Sequence, residues 1–162
     1  MIAPSATELG AMKYCFEDLP VGFAYRTSAR TITEADVVAF AALTGDFNRA
    51  HVDAEFAAAA AFGQRIAHGL LVVAFMSGLN TRTIVNQLLE SSQLALLGID
   101  TRFLKPTYLG DTIHVDIEVI EARLTSKPGR GVLTFRRNAV NHRGEIVVEC
   151  IARMLVMQRP VP

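Results

Sequence analysis

Residues 43–56, LTGDFNRAHVDAEF, concentrate polar side chains in a chain that is otherwise rich in apolar residues. Asp46 and His51 stand five positions apart in this segment. A carboxylate and an imidazole held close together can share one water molecule, so that one group takes its proton while the other delivers a proton elsewhere. Histidine suits this work because its unperturbed pKa lies near neutrality. The segment therefore predicts general acid–base chemistry, with Asp46 and His51 as the candidate catalytic pair.

The same residue types also have ordinary structural uses. Aspartate and asparagine often form turns after a helix, and Asp53 is most simply the cap of the next helix. Asn48 lies between the two candidates and can donate and accept hydrogen bonds, so it could fix the loop or one catalytic side chain. Gly45 lets the backbone turn sharply before the pair. The acid–base interpretation therefore needs support from a second feature.

That second feature is IAHGLL, which places His68 and Gly69 at the start of an apolar helix. The first N–H groups of a helix lack internal partners, and the helix dipole there favours negative charge. Such a site could hold the oxygen of a thioester as it becomes an enolate. Ser77 follows two turns later on the same face, where it either supports the site or bonds to its own helix. His68 either orients the turn or touches the substrate.

Three helical segments are expected to position these groups. TITEADVVAFAALTG has Thr33 as its cap and Gly45 as its stop. A short second helix is expected from Asp53 to Phe62. The third, LLVVAFMSGLNTRTIVNQLLE, is expected to begin near residues 67–69 as one long helix. Its first two turns are apolar on nearly every face, so this helix should be buried.

The second half of the chain changes from a helical to an alternating period. In DTIHVDIEVIEARL the apolar residues share one face, as in a half-buried strand: Ile113, Val115, Ile117 and Val119. GVLTFRRNAV and IVVECIARMLVM flank the turn NHRGE and predict a hairpin, and LALLGIDTRFLKPTYLG adds a strand that ends at Lys105–Pro106. With one earlier strand in GFAYRTSAR, the order indicates an α+β domain whose antiparallel sheet wraps around the buried helix.

Composition narrows the class of protein. The 162 residues are 51% hydrophobic and 20% charged, as in an ordinary globular domain. Lys+Arg and Asp+Glu both number 16, so the basic excess of a nucleic-acid-binding protein is missing. The mean hydropathy of +0.29 suggests that a partner subunit covers some apolar surface. Apolar runs are too short to cross a membrane.

The pattern also indicates domain limits and location. Residues 1–13 are expected to form a loose leader and residues 14–162 a single domain. The N-terminal segment lacks the features of a signal peptide, so a cytoplasmic location is expected. Cys15 and Cys150 show no metal-ligand spacing and are expected to be free thiols.

Taken together, TGDFNRAH, the following FG and IAHG resemble the signature region of the MaoC-like dehydratases, which include the (R)-specific enoyl-CoA hydratases. The resemblance covers most of the chain, from about residue 14 to 157. It implies a hot-dog fold, in which an antiparallel sheet wraps a long central helix, and a homodimer or a larger oligomer built from dimers. The implied reaction is the reversible addition of water to a trans-2-enoyl-CoA thioester, giving an (R)-3-hydroxyacyl-CoA. No metal and no tightly bound cofactor are expected.

The resemblance also assigns roles to residues. Asp46 and His51 match the catalytic pair, and Gly69 matches the backbone N–H that holds the thioester oxygen. Asn48 and Ser77 match positions that support the pair and contact the substrate.

The sequence departs from the family pattern at one point. The family usually has proline and then a larger aliphatic residue before the histidine, whereas this chain has Arg49 and Ala50. Loss of the proline would leave the loop less rigid. Arg49 either contacts a polar part of the substrate, such as a coenzyme phosphate or an acyl carboxylate, or is simply solvated.

Two other functions remain open on the sequence. The hot-dog fold also supports acyl-CoA thioesterases, because fold alone does not fix function. The chain could also be a non-catalytic, acyl-binding subunit of a heterodimeric dehydratase. The Asp–Asn–His loop argues against the thioesterase, and the joint presence of Asp46, His51 and Gly69 argues against the silent subunit. The acyl group, its carrier and the identity of the base are left open.

Overall fold

The computed structural model of the chain describes residues 13–160. The predicted leader over residues 1–13 therefore lies, except for Lys13, outside the described residues. The described part contains two short 3-10 turns, Phe16–Asp18 and Glu90–Ser92, together with the following helices and strands in chain order: β1 (Ala24–Arg26), β2 (Arg30–Thr31), α1 (Glu34–Thr44), α2 (Arg49–Val52), α3 (Ala54–Ala59), α4 (Gly69–Thr81), α5 (Ile84–Leu89), β3 (Gln93–Phe103), β4 (Thr112–Leu124), β5 (Arg130–Asn141) and β6 (Ile146–Met157).

All six strands belong to one antiparallel sheet. Its order is β1-β4-β5-β6-β3, and β2 also pairs with β4. The predicted first strand, the four later strands and the β5–β6 hairpin are confirmed, with Gly144 at a φ of 77° in the hairpin turn. β2 was not predicted, because two residues are too short to show an alternating pattern.

The core lies between one face of this sheet and α4. The four alternating residues of β4 are at most 1% exposed, as the sequence predicted: Ile113, Val115, Ile117 and Val119. They belong to one apolar cluster with Leu71, Val72, Met76 and Leu79 of α4. Burying each large aliphatic side chain contributes about 1.5–3 kcal/mol, so this contact is a major source of stability. It also fixes where α4 begins, and therefore where Gly69 lies.

Local signals explain the ends of α1. The Thr33 hydroxyl accepts a hydrogen bond from the Asp36 N–H, and the Asp36 carboxylate accepts one from the Thr33 N–H. Gly45 ends the helix at a φ of 77°, a left-handed conformation that glycine adopts without strain. Both ends of this helix are as predicted, and the chain enters the polar loop in a defined direction.

Two of the predicted helices differ in length from the structure. The predicted single long helix is wrong, because α4 ends at Thr81 and α5 begins at Ile84. Thr83 breaks it: its hydroxyl donates to the Asn80 carbonyl and accepts from the Asn86 N–H, so it caps α5. The alanine-rich helix α3 starts after Asp53, as predicted, but ends at Ala59 rather than at Phe62.

The expectation that the central helix is buried holds for only one of its faces. Leu71 and Val72 are buried, whereas Leu70 is 64% exposed. A second set of exposed apolar side chains follows the edge strand β3 and its end: Leu94, Leu96, Leu97, Ile99, Phe103 and Leu104. Leu70 and this set are referred to below as the edge-strand surface. Within residues 13–160, the helices are too short or too polar for any of them to cross a membrane.

Candidate active site

The loop after α1 is built by its own polar side chains. The Thr44 hydroxyl accepts from the Asp46 N–H at 3.3 Å, and an Asp46 carboxylate oxygen accepts from the Asn48 N–H at 3.2 Å. The Asn48 side chain then caps the short helix α2 by accepting from the Ala50 N–H at 3.0 Å. Part of the predicted loop is therefore a single helical turn. Asn48 shapes the segment that carries both candidate catalytic residues.

His51 lies on α2, and its tautomer follows from its neighbour. Its Nδ1 is 2.8 Å from the backbone carbonyl oxygen of Ile66. A carbonyl oxygen can only accept, so Nδ1 carries the proton in the neutral ring. The other ring nitrogen, Nε2, then keeps a free lone pair. This half-buried ring lines an open cavity, so His51 is able to accept a proton from a molecule bound there.

His68 lies directly beside this pair. Its Nε2 is 3.0 Å from the backbone carbonyl oxygen of Asp46. Its ring centroid is 3.8 Å from that of His51, with 30° between the ring planes, and 5.0 Å from that of Phe40. The sequence leaves the role of His68 undecided, because the spacing of IAHG does not indicate that two histidines 17 positions apart stack on each other.

Asp46, His51 and His68 are close enough to raise the question of a metal site. Potential ligand atoms of the three residues lie within 4.8 Å of one another. One nitrogen of each ring is, however, already hydrogen-bonded to a backbone carbonyl: Nδ1 of His51 to that of Ile66, and Nε2 of His68 to that of Asp46. The remaining nitrogen of His68, Nδ1, is buried. This geometry suits acid–base chemistry better than coordination of one ion.

The cavity beside His51 has a volume of about 430 Å³ and a mainly apolar wall. Its lining includes Phe62, Ile66, Leu70, Phe103, Leu104 and Val148. Gly69, the first residue of α4, also lines it. The Gly69 N–H has no acceptor within the helix, and the positive end of the helix dipole lies there. The cavity thus places a proton acceptor and a polar N–H beside a space suited to an acyl chain.

Gly69 is packed closely against a neighbouring ring. A Cβ atom at this position would lie 2.5 Å from Cε1 of Phe103, which is well inside contact distance. The lack of a side chain therefore lets Phe103 of β3 cover the start of α4. Glycine at this position therefore accommodates Phe103.

The structure of a single chain does not bring Ser77 into this site. It lies two turns beyond Gly69 on α4, is exposed, and is absent from the residues that line the cavity. The remaining predicted residues, Asp46, Asn48, His51 and Gly69, do lie around the start of α4 and the end of α1.

The contacts that Arg49 makes within the chain are structural. Its Nε donates to the Asp53 carboxylate at 3.0 Å, and its guanidinium carbon lies 4.4 Å from the centroid of the Phe56 ring. Its side chain is 65% exposed and does not line the cavity. Arg49 is also the first residue of α2, the helix position that proline favours. An ion pair therefore braces the turn where the family usually has a proline.

The substitution Arg49→Pro should be tolerated. Asn48 has a ψ of 132°, within the range that a residue before proline prefers. Proline should raise the free energy of unfolding by about 0.4–1 kcal/mol, because it restricts the unfolded chain. Loss of the Arg49–Asp53 pair should lower the same free energy by about 0.3–0.5 kcal/mol. Urea unfolding should therefore show a net change below about 1 kcal/mol. Arg49→Ala, which loses the pair without gaining rigidity, is the control and should be slightly destabilised. A loss above about 2 kcal/mol in the proline variant would contradict this placement of Arg49.

Comparison with known proteins agrees with the geometry. Residues 19–138 match the MaoC-like domain. The (R)-specific enoyl-CoA hydratase of Rhodospirillum rubrum is 32% identical over 145 residues, which cover 89% of this chain and 92% of that protein. The enzyme of the same name from Aeromonas caviae is 38% identical over 107 residues, covering 66% and 75%. Protein MaoC of Klebsiella aerogenes is 38% identical over 124 residues, covering 76% of this chain and only 33% of that protein.

Solved structures show the same fold. A MaoC-like dehydratase from Rhodospirillum rubrum superposes with a TM-score of 0.82 at 28% identity, over 91% of this chain and 99% of that one. The (R)-hydratase of Aeromonas caviae gives 0.71 at 31% identity, over 88% and 99%. A Mycobacterium tuberculosis protein with a double hot-dog fold gives 0.78 at 22% identity, over 91% and 45%, and this likeness concerns the fold alone. The predicted hot-dog fold is confirmed.

The family resemblance in the sequence is therefore correct, and the chain belongs to the MaoC-like domain family.

Proposed function

We propose that this chain adds water reversibly to trans-2-enoyl-CoA thioesters to give (R)-3-hydroxyacyl-CoA. The observation that carries the proposal is the placement of His51. Its Nδ1 is bonded to a carbonyl, so its Nε2 can accept a proton, and the residue lines an apolar cavity close to Asp46 and to the N-terminus of α4. Relatives named as (R)-specific enoyl-CoA hydratases support the reaction class.

The proposed acid–base step uses both members of the pair. Water lies between the Asp46 carboxylate, which accepts one of its hydrogen bonds, and Nε2 of His51. As the water oxygen attacks C3 of the enoyl group, the neutral His51 ring takes the proton at Nε2. The double-bond electrons move to the thioester oxygen, giving an enolate. The imidazolium of His51 then returns the proton to C2, so that one water is added and the ring is neutral again.

The reaction also requires that the negative charge of the enolate be stabilised. In the proposal, the Gly69 N–H at the start of α4 donates a hydrogen bond to the thioester oxygen. The 13 residues of α4 place the positive end of their dipole at this point. Such fixed donors stabilise charge that develops during a reaction without having to reorient.

We also propose that two copies pair through the edge-strand surface. A long edge strand with exposed apolar side chains is normally covered, because it otherwise invites aggregation. Leu70, Phe103 and Leu104 belong both to this surface and to the cavity wall, so a second copy would close the cavity. The buried free thiols of Cys15 and Cys150 are compatible with a reducing location such as the cytoplasm.

The test is the ultraviolet absorbance of crotonyl-CoA, which falls when hydration removes the conjugated double bond. The expected result is a fall without release of free thiol, with a product that an (R)-specific 3-hydroxyacyl-CoA dehydrogenase oxidises. Release of thiol with the double bond intact would replace the proposal with a thioesterase. Absence of any change with crotonyl-CoA and with longer or branched trans-2-enoyl thioesters would overturn it.

A further inference from the structure

The side chain of His68 does not cap α4, although the residue immediately precedes that helix. It is the N-cap residue of α4, but its side chain makes no capping hydrogen bond to that helix. It is only 2% exposed, although histidine is usually found at least partly at the surface. Its contacts run instead to the loop that carries Asp46 and His51.

The first contact fixes the backbone of Asp46. Because the Asp46 carbonyl oxygen can only accept, the proton of the neutral His68 ring lies on Nε2. The donor reaches back 22 residues and ties the loop to the start of α4. The other nitrogen of the ring is left unsatisfied, because Nδ1 of His68 is buried and has no hydrogen-bond partner among residues 13–160. A buried polar atom without a partner is rare in proteins and calls for a compensating role.

The second contact fixes the ring of His51. That ring is held in its own plane by the hydrogen bond from Nδ1 to the Ile66 carbonyl. The face of His68, 3.8 Å away, limits its tilt. The two constraints together leave Nε2 of His51 aimed in one direction.

We infer that His68 is a positioning residue that aligns the acid–base pair, holding Asp46 through its backbone and His51 through its ring face. The inference rests on the proposed function and adds a residue to it. His68 does not line the cavity, so its effect on substrate is indirect. A displacement of about 1 Å in reacting groups costs about 100-fold in rate, so losing such a brace should be visible mainly in kcat.

Three substitutions separate the two contacts. His68→Phe keeps an aromatic face for His51 but loses the donor. His68→Gln keeps an N–H close to the position of Nε2 but loses the ring. His68→Ala loses both. We expect kcat for crotonyl-CoA hydration to fall about 100-fold in the alanine variant and less in the other two. KM should change by less than about threefold, because substrate contacts are retained.

His142→Gln is the matched control, since His142 lies in the β5–β6 turn on the exposed surface. It should keep the wild-type kcat. Circular dichroism and thermal unfolding show which variants are folded. If the alanine variant does not fold, the phenylalanine and glutamine variants carry the test.

Two failures are distinguishable. A wild-type protein that hydrates no enoyl thioester overturns the proposed function. An active wild type with folded His68 variants whose kcat stays within about threefold of it overturns the positioning role alone. A loss that appears only as a raised KM also overturns it, because it would mean that His68 acts in substrate binding.

Discussion

Replacing His51 with alanine should lower kcat for enoyl-CoA hydration by about 1,000-fold, and Asp46→Asn should have an effect of similar size. A positioned acid or base typically contributes 10²–10⁴-fold, and the proposed step depends on both groups. Asn keeps the shape of Asp46, and its side-chain oxygen can still accept from the Asn48 N–H. Its loss of charge should therefore act on the water rather than on the fold. Stopped-flow or steady-state absorbance with crotonyl-CoA measures the rates.

The double variant tests whether Asp46 and His51 act as one unit. Residues that act as one unit have non-additive effects, so Asp46→Asn with His51→Ala should be little worse than either single change. His142→Ala and Glu55→Gln are the controls, because they remove an imidazole and the charge of a carboxylate on exposed parts of the surface, and both should keep wild-type rates. If either single catalytic variant retains more than about a tenth of the wild-type kcat while folded, that residue is not part of the proposed step.

Much of the fold could be predicted because its signals are local. The alternation in β4 marks the buried face directly, since a strand has a period of two. Thr33 and Gly45 mark the ends of α1 through contacts within a few residues. Thr83 is a similar local cap, but apolar residues continue on both sides of it, so the pattern predicts one long helix where the structure has two.

The candidate site was less predictable, because its geometry depends on contacts between distant segments. The stacking of His51 on His68 and the hydrogen bond to the Asp46 carbonyl follow from how α2 packs against the start of α4. The role of Phe103 follows from the last residues of β3 crossing that same helix end. No spacing in the sequence encodes such contacts. Arg49 is the opposite case, because its contact is local. Its ion pair with Asp53, four residues further on, explains an arginine where the family usually has a proline.

Gly69→Ala should lower kcat/KM about 100-fold, although alanine leaves the backbone N–H in place. Loss of one hydrogen-bond donor to a developing oxyanion costs about 10²–10³-fold, and a displaced donor is close to a lost one. The new Cβ would lie 2.5 Å from Cε1 of Phe103, so either that ring or the start of α4 has to move. Phe103 is 55% exposed in the single chain, which lets the ring yield in part. Stability should therefore fall by only about 1–3 kcal/mol, as for other overpacked sites.

A second substitution shows whether Phe103 transmits the effect. In Gly69→Ala with Phe103→Ala, the obstructing ring is absent, the helix end can keep its position, and kcat/KM should recover about tenfold relative to the Gly69→Ala variant. Phe103→Ala alone is the control, because it reveals what the ring contributes to the cavity wall. If the double variant is no better than Gly69→Ala, the added methyl group obstructs the thioester itself. The absence of a side chain at Gly69 would then be needed for substrate binding rather than for the packing of β3 on α4. Recovery would instead show that the last residue of the edge strand sets the position of the N–H that holds the enolate oxygen.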